Sequence, residues 1–315
     1  MEKIEFNDID YKDTLDSIDN HNQLKFAMTV AVAGRHHLLV WGDPNSGNTE
    51  VLNHLPELLP KLSEEEFNVS SQIWEKAGLG KPKARPFRFP HQTASIEGMC
   101  GGGVNCRPGE ISLAHNGVLF LDYAAEFRCS VLQMLRVPLE LGQISLSRAG
   151  ETHVYPAKFQ LFMSTLPCPC GNFGSHTKIC LDLNKHIGLY WKKFSAPLLD
   201  RMTIRVNSFE NEEDYAFHSL ETLRNMIKDA WTRQYARQGK LNQDLTPNEI
   251  LSFIKLDNDA QKTLDKKVFS FTPRETQNVL KVARTVADID GDNSIVNDYH
   301  IKVALKLNAE TPMGY

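Results

Sequence analysis

The chain has 315 residues, enough for two domains of about 150 residues each and for a sizeable core. Its 41% hydrophobic and 23% charged residues are those of an ordinary globular protein, which excludes collagen-like, low-complexity and wholly disordered classes. With 35 Lys and Arg against 39 Asp and Glu the net charge is -4, so no global field draws nucleic acid or an anionic membrane, and any polyanion contact must be local.

Apolar runs such as Ala27 to Ala33 fall far short of the roughly 18 residues of a membrane span, so no membrane partner is expected. The acidic start lacks the basic and then apolar layout of a signal peptide, and the expected compartment is the cytoplasm. Six cysteines are too sparse for a disulfide framework and are expected as free thiols.

In chain order, residues 1–14 form an extension, and residues 15–34 carry a helical apolar pattern with Gly34 placed as a C-terminal cap. Leu38 to Trp41 is a strand entering Gly42-Asp-Pro-Asn-Ser-Gly-Asn-Thr49, after which Val51 to Leu59 reads as helix. Further apolar strands end at Asp122, at Thr165 and near Val206. Their alternation with helical stretches predicts an α/β domain over residues 15–208 with a mostly parallel sheet. From residue 209 the strands stop. Thr246-Pro-Asn-Glu249 and Thr272-Pro-Arg-Glu275 are capping boxes with Pro at the first helical position, and the second opens an amphipathic helix stopped at Asp290-Gly291. Residues 209–315 are therefore predicted to be a small all-α domain.

The frame Gly42-x4-Gly47 followed by Thr49 has the spacing of a P-loop, in which glycines let backbone N–H groups wrap a triphosphate. A P-loop also needs a Lys for the outer phosphates, and Asn48 stands in that position. By itself the match is weak, and an ordinary strand-to-helix turn explains it better.

A longer pattern joins this loop. Arg85-Pro-Phe-Arg-Phe-Pro-His-Gln-Thr93, Gly101-Gly-Gly103 and Pro108-Gly-Glu through Val118-Leu-Phe-Leu-Asp122 resemble the magnesium-chelatase-subunit-like AAA+ proteins. So do Gln143-Ile-Ser-Leu-Ser-Arg148, Tyr155-Pro-Ala-Lys-Phe-Gln160, Pro197-Leu-Leu-Asp-Arg201 and Val282-Ala-Arg-Thr-Val-Ala-Asp288. Pro167-Cys-Pro-Cys-Gly171 points to the ComM competence-helicase branch, which usually carries a Lon-like domain ahead of the ATPase module; 315 residues leave no room for it. The resemblance implies a P-loop domain with a helical lid, ATP and Mg²⁺ between them, and neighbouring AAA+ subunits completing each site. Those neighbours would form a homo- or hetero-oligomeric ring, with six as the candidate number.

The same resemblance assigns Gly42, Asp43, Pro44, Asn45, Ser46, Gly47, Asn48, Thr49, Asp122 and Arg274 to the nucleotide, with Thr49 and Asp122 for Mg²⁺ and Arg274 as sensor 2. It also exposes departures. Asn48 replaces the Walker A Lys, a charge that would interact with a contacting phosphate by roughly 4 kcal/mol at an effective dielectric of 20. Tyr123 replaces the Glu that polarises the attacking water, and a phenol with a pKa near 10 is a poor base at neutral pH. Leu166 replaces the sensor-1 Asn, and Asn20-His21 replace the Gly-Gln usual near the base. Asn45 replaces a family Gly and can still adopt a left-handed conformation. Arg201 corresponds to the arginine finger offered to a neighbour; its simpler role is an ion pair with Asp200 or another carboxylate.

Cys168, Cys170 and Cys180, with Asp182, His176 or His186, are candidate zinc ligands. The one-residue spacer is tighter than usual, the second Cys-x-Cys pair of the family has become Cys180-Leu-Asp182, and free thiols are expected ahead of zinc. Lys81 to Phe89 mixes cations and aromatics in the manner of a single-strand binder, although a solvated edge strand is the simpler expectation. Residues 143–158 resemble the β-hairpin that such rings point into the pore, with Arg148 at its tip, so DNA is a candidate partner. The expected function is that of a degenerate AAA+ module with weakened ATP and Mg²⁺ binding, hydrolytically silent, serving as an assembly or regulatory subunit. Its rival is an active ring motor on DNA in which groups such as Arg35 or Glu126 substitute for the missing ones.

Overall fold

The computed structural model describes residues 4–7, 13–44, 46–148, 151–209, 215–291, 294–312 and 314, with the side chains of Arg148 and Glu151 left out. Nine strands are described: β1 (Leu38–Trp41), β2 (Phe87–Arg88), β3 (Gly101–Gly102), β4 (Arg107–Pro108), β5 (Val118–Leu121), β6 (Gln143–Arg148), β7 (Glu151–Pro156), β8 (Gln160–Thr165) and β9 (Ile204–Asn207). Five make one sheet in the order β2-β5-β8-β1-β9, and every pairing in it is parallel. Strands β3 and β4 form a small antiparallel pair, and β6 and β7 form the expected hairpin, whose turn lies outside the described residues.

The central strands are short apolar runs because both faces of the sheet are covered. Side chains alternate across a strand. Leu38, Val40, Phe120 and Phe162 accordingly enter one core, while Leu39, Trp41, Leu119, Leu121, Leu161 and Met163 enter the other. The first core is closed by the Asn22–Gly34 helix and by the C-terminal helices. Trp231 Nε1 donates to the Val32 carbonyl at 3.1 Å and Gln234 Nε2 to that of Ala33 at 2.9 Å, which fixes the Leu220–Gln238 helix on the end of the first one. Both predicted capping boxes are present, at the starts of Pro247–Phe253 and Pro273–Asp290, and Gly291 ends the latter at φ 88°. An α/β layer followed by a helical region is the architecture that the sequence predicts.

Three local expectations need correction. Residues 15–34 are not one helix: a 3₁₀ turn at Leu15–Ser17 is separated from the Asn22–Gly34 helix by Asn20 and His21, both left-handed at φ 62° and 61°. Gly34 is not the cap, since Arg35 takes the left-handed position at φ 62°. A Cβ on Gly34 would lie 2.0 Å from the His36 ring, so this glycine answers close packing rather than backbone conformation. Residues 51–59 divide into Asn48–Asn53 and Leu55–Leu58 at His54, because Pro56 has no N–H to continue the ladder. The N-terminal stretch is tied to the body where it is described: Phe6 bridges Pro60, and the Asn7 N–H reaches the Leu59 carbonyl at 3.3 Å.

Candidate functional site at the carboxyl ends of the strands

In a parallel sheet the crevice beyond the carboxyl ends of the strands collects the side chains that follow each strand. Trp41 is in register with Thr165 on one side and with Asn207 on the other. Gly42, Leu166 and Ser208 therefore emerge at one level, with Asp122 and Tyr123 following β5 beside them. A Cβ on Gly42 would lie 1.7 Å from Ser208 Oγ, so only glycine lets the loop pass there. Gly47, at φ 79°, caps the Asn48–Asn53 helix and turns the loop into it.

The loop encloses a cavity of about 300 Å³ lined by Gly42, Asp43, Pro44, Ser46, Gly47, Asn48, Thr49, Glu50, Tyr123, Ser164, Thr165 and Leu166. Most of the residues assigned to nucleotide by resemblance thus meet at one place; Asn45 lies outside the described residues. The Thr49 hydroxyl donates to Asp122 Oδ1 at 3.0 Å, and Ser164 donates to the same oxygen. A hydroxyl beside a carboxylate is an oxygen donor pair that fits Mg²⁺. The charge around the cavity fits a triphosphate less well, because its lining carries Asp43 and Glu50 and no Lys or Arg.

Asn48 is half-buried. Its amide nitrogen donates to Ser208 Oγ at 2.9 Å, while its Oδ1 is shielded from solvent with no hydrogen-bond partner among the described residues. Tyr123 is left-handed at φ 48°, a conformation that costs a non-glycine residue of order 1–3 kcal/mol, and its N–H is fixed by Ser164 Oγ at 3.1 Å. The His21 ring closes on the Ser46 carbonyl and would lie 3.3 Å from a Cβ on Gly47. Sequence reading placed Asn20-His21 near this site, but it missed Ser164, Ser208 and Lys178. Lys178 Nζ stands 3.3 Å from Asp43 Oδ2 and supplies a cation at the rim. No spacing signal marks these three, because they arrive from strand ends and a loop distant in sequence.

Arg201 and Arg274 do not line the cavity. The start of the Pro273–Asp290 helix docks elsewhere, through Arg205 Nη2 to Glu275 Oε1 at 3.0 Å and Asn278 Nδ2 to the Asp200 carbonyl at 3.0 Å. Arg201 is 8% exposed and pairs with Glu140 at 2.6 Å, not with Asp200. Burial and the neighbouring Arg274 lower its guanidinium pKa below the ordinary value, against the pull of Glu140. Arg35 and Glu126, the hypothetical substitutes, lie outside the lining as well.

Two of the four cations of the basic stretch are committed to the fold, while Lys81 and Lys83 are exposed. Arg85 is buried, donating to the Pro60 carbonyl at 2.7 Å and to Glu66 at 2.7 Å, and Arg88 grips Glu110 with two bonds of 2.6 and 2.7 Å. Phe87 and Arg88 form β2 at the sheet edge, the simpler of the two sequence expectations. The cysteine loop lies beside the glycine loop: Cys168, Cys170, Cys180 and Asp182 present ligand atoms within 4.8 Å of one another, a group that neither His176 nor His186 joins. Among the described residues no helix is long and apolar enough to cross a membrane.

Comparison with known proteins agrees with this architecture. Residues 14–215 match the family described as magnesium chelatase, subunit ChlI, and residues 218–308 match its C-terminal family. The chain is 37% identical to Competence protein ComM of Haemophilus influenzae, the match covering 95% of this chain and 61% of that protein. It is 36% identical to Uncharacterized protein YifB of Escherichia coli over 94% of this chain and 60% of that one. To Uncharacterized protein Rv2897c of Mycobacterium tuberculosis it is 42% identical over 61% of this chain and 39% of the relative. The chain thus spans about three fifths of the length of the first two relatives. A parallel sheet with a glycine loop after its first strand, followed by helices and matched to the family along both parts, leads to one conclusion: the chain belongs to the magnesium chelatase subunit ChlI family of AAA+ proteins.

Proposed function

We propose that this chain is a hydrolytically silent AAA+ module that binds ATP and Mg²⁺ weakly and acts as an assembly or regulatory subunit beside other AAA+ subunits. The observation that carries this reading is Asn48. Its amide bonds to Ser208, and no cation takes its place in a lining that contains Asp43 and Glu50. Tyr123 and Leu166, at the positions of the water-activating Glu and the water-orienting Asn, border the same cavity and themselves carry neither a carboxylate nor an amide. When bound, Mg²⁺ would be held by Thr49 and Asp122 and would neutralise phosphate charge. Arg201 and Arg274, outside the chain's own cavity, are suited to a neighbour's nucleotide, and Glu140 keeps Arg201 oriented until one docks.

Turnover and nucleotide binding by the purified chain test the reading. Expected is hydrolysis far below the ordinary range of about 1–10³ s⁻¹, rising when Asn48→Lys and Tyr123→Glu are combined. Ordinary turnover by the unaltered chain refutes it. Mixed with a competent relative, the chain should enter rings whose turnover falls with Arg201→Ala; no association, or indifference to Arg201, leaves Arg201 a structural ion-pair residue.

One observation favours the rival, an active motor on DNA: Lys178 stands at the loop and needs only to leave Asp43 to meet a phosphate. In that case Lys178→Ala abolishes measurable turnover.

A further inference from the structure

From Leu166 to Leu183 the chain crosses the carboxyl ends of the sheet without a helix or strand, longer than the about 12–15 residues at which an irregular loop needs a reason. Leu166, Cys168 and Phe173 anchor its start on the core, but the far end has few apolar anchors. Ile179, Leu181 and Leu183 point outward at 82, 86 and 66% exposure. The segment nevertheless lies tight against the glycine loop: a Cβ on Gly171 would be 3.0 Å from Pro44 Cδ, and Lys178 reaches Asp43. Apolar packing fixes its first half, whereas its second half is tied down through Lys178 and the Cys180–Asp182 stretch.

The alternation that turns Ile179, Leu181 and Leu183 outward turns Cys180 and Asp182 inward, onto Cys168 and Cys170. The three sulfurs form a nearly equilateral triangle with edges of 3.4, 3.6 and 3.7 Å. These edges are far longer than the about 2.05 Å of a disulfide. They match the about 3.8 Å separating two sulfurs on a tetrahedral zinc with Zn–S bonds near 2.3 Å. Asp182 brings a carboxylate oxygen to the open side, steadied by the Cys170 N–H on its Oδ2 at 2.8 Å. The Phe173 N–H points at Cys168 Sγ at 3.3 Å, a donor suited to a thiolate. At the base of the loop, Trp191 Nε1 holds the Pro167 carbonyl at 2.8 Å, so Cys168 starts from a fixed point.

We propose that Cys168, Cys170, Cys180 and Asp182 bind one structural zinc ion, which staples the 166–183 segment over the glycine loop. The geometry favours this over the free thiols that the one-residue spacer suggested. Binding displaces three thiol protons and leaves no open position, so the ion supplies constraint and not catalysis. Three thiolates with one carboxylate suit zinc better than Mg²⁺ or Ca²⁺, which take all-oxygen shells. The proposal is independent of whether the neighbouring cavity hydrolyses ATP.

The test is elemental analysis of the full chain purified without chelator, followed by cobalt substitution. Expected are one zinc per chain and, with cobalt, sulfur-to-metal charge transfer together with the visible bands of a tetrahedral ion. Cys168 is buried, so the decisive variants are the more exposed Cys170→Ser and Cys180→Ser, with Cys129→Ser as control. Each decisive variant should lower zinc affinity by about tenfold or more and speed tryptic cutting at Lys178, while the control changes neither. Protein that arrives without zinc and gives no cobalt spectrum overturns the proposal, as does zinc retained unchanged in both variants.

Discussion

Two carboxylates, Asp288 and Asp122, sit in contrasting surroundings. Asp288 is fully buried and meets Arg237 at 2.6 and 2.9 Å, Arg284 at 3.1 Å and Asn242 at 2.9 Å. Asp122, at the carboxyl end of β5, meets only the hydroxyls of Thr49 and Ser164 and forms no ion pair among the described residues. The first charge is neutralised by its own fold and serves stability; the second has no cationic side chain paired with it among the described residues. The contrast also explains a family motif. In Val282-Ala-Arg-Thr-Val-Ala-Asp288 the Arg and Asp are four residues apart on one helix and form a wholly buried pair, so that stretch is an internal fastening and not a site.

Substitution separates the two roles. Asp288→Ala should cost about 3–5 kcal/mol in urea unfolding, because it strands two guanidinium groups in the interior. Asp122→Ala should change stability by less than about 1.5 kcal/mol, as it removes only hydroxyl contacts at a partly open site. Equal losses would break the distinction.

The polar cluster around Thr285 extends to His36, bonded to Thr285 at 2.7 Å and to Gln243 at 2.9 Å, and next to it His37 accepts the Leu161 N–H at 2.9 Å. Burial holds His36 down to about 4 and His37 down to about 3. Unfolded histidine titrates near 6.5. Above that pH both states of these residues are neutral and the two histidines contribute no slope. Below it only the unfolded chain takes up protons, so stability falls by about 1.4 kcal/mol per pH unit for each residue until the folded values are reached. Between pH 6.5 and 5 each should therefore cost about 2 kcal/mol, and His37→Asn should flatten the slope by that amount. A slope unchanged in that variant would place the titration elsewhere.

The smallest effect belongs to the cavity. Tyr123→Gly removes a left-handed non-glycine residue and should raise the unfolding midpoint by an amount equivalent to about 1 kcal/mol, the direction opposite to that at Asp288. A loss of stability instead would mean that the ring's packing outweighs the strain.

Much of the fold was legible in local pattern. Short apolar strands bounded by turn residues, Gly42-x4-Gly47 and the two Thr-Pro-x-Glu starts each encode their structure within a few residues, where backbone sterics and capping hydrogen bonds act. Register did the rest for Asp122 and Thr49, since a parallel sheet carries strand ends to one level. The break at Asn20-His21, by contrast, is a tertiary decision: left-handed backbone at two residues is compensated by the seat it gives His21 against Ser46. Only tertiary structure chose Glu140 over Asp200 as the partner of Arg201, left Arg274 out of the cavity lining, and brought Lys178 to Asp43. Sequence determined which charges and thiols the chain owns and on which elements they ride. Which of them meet depended on how those elements pack, because an ion pair or a ligand set is formed by distance in space, and side chains 61 and 135 residues apart leave no periodic trace of their meeting.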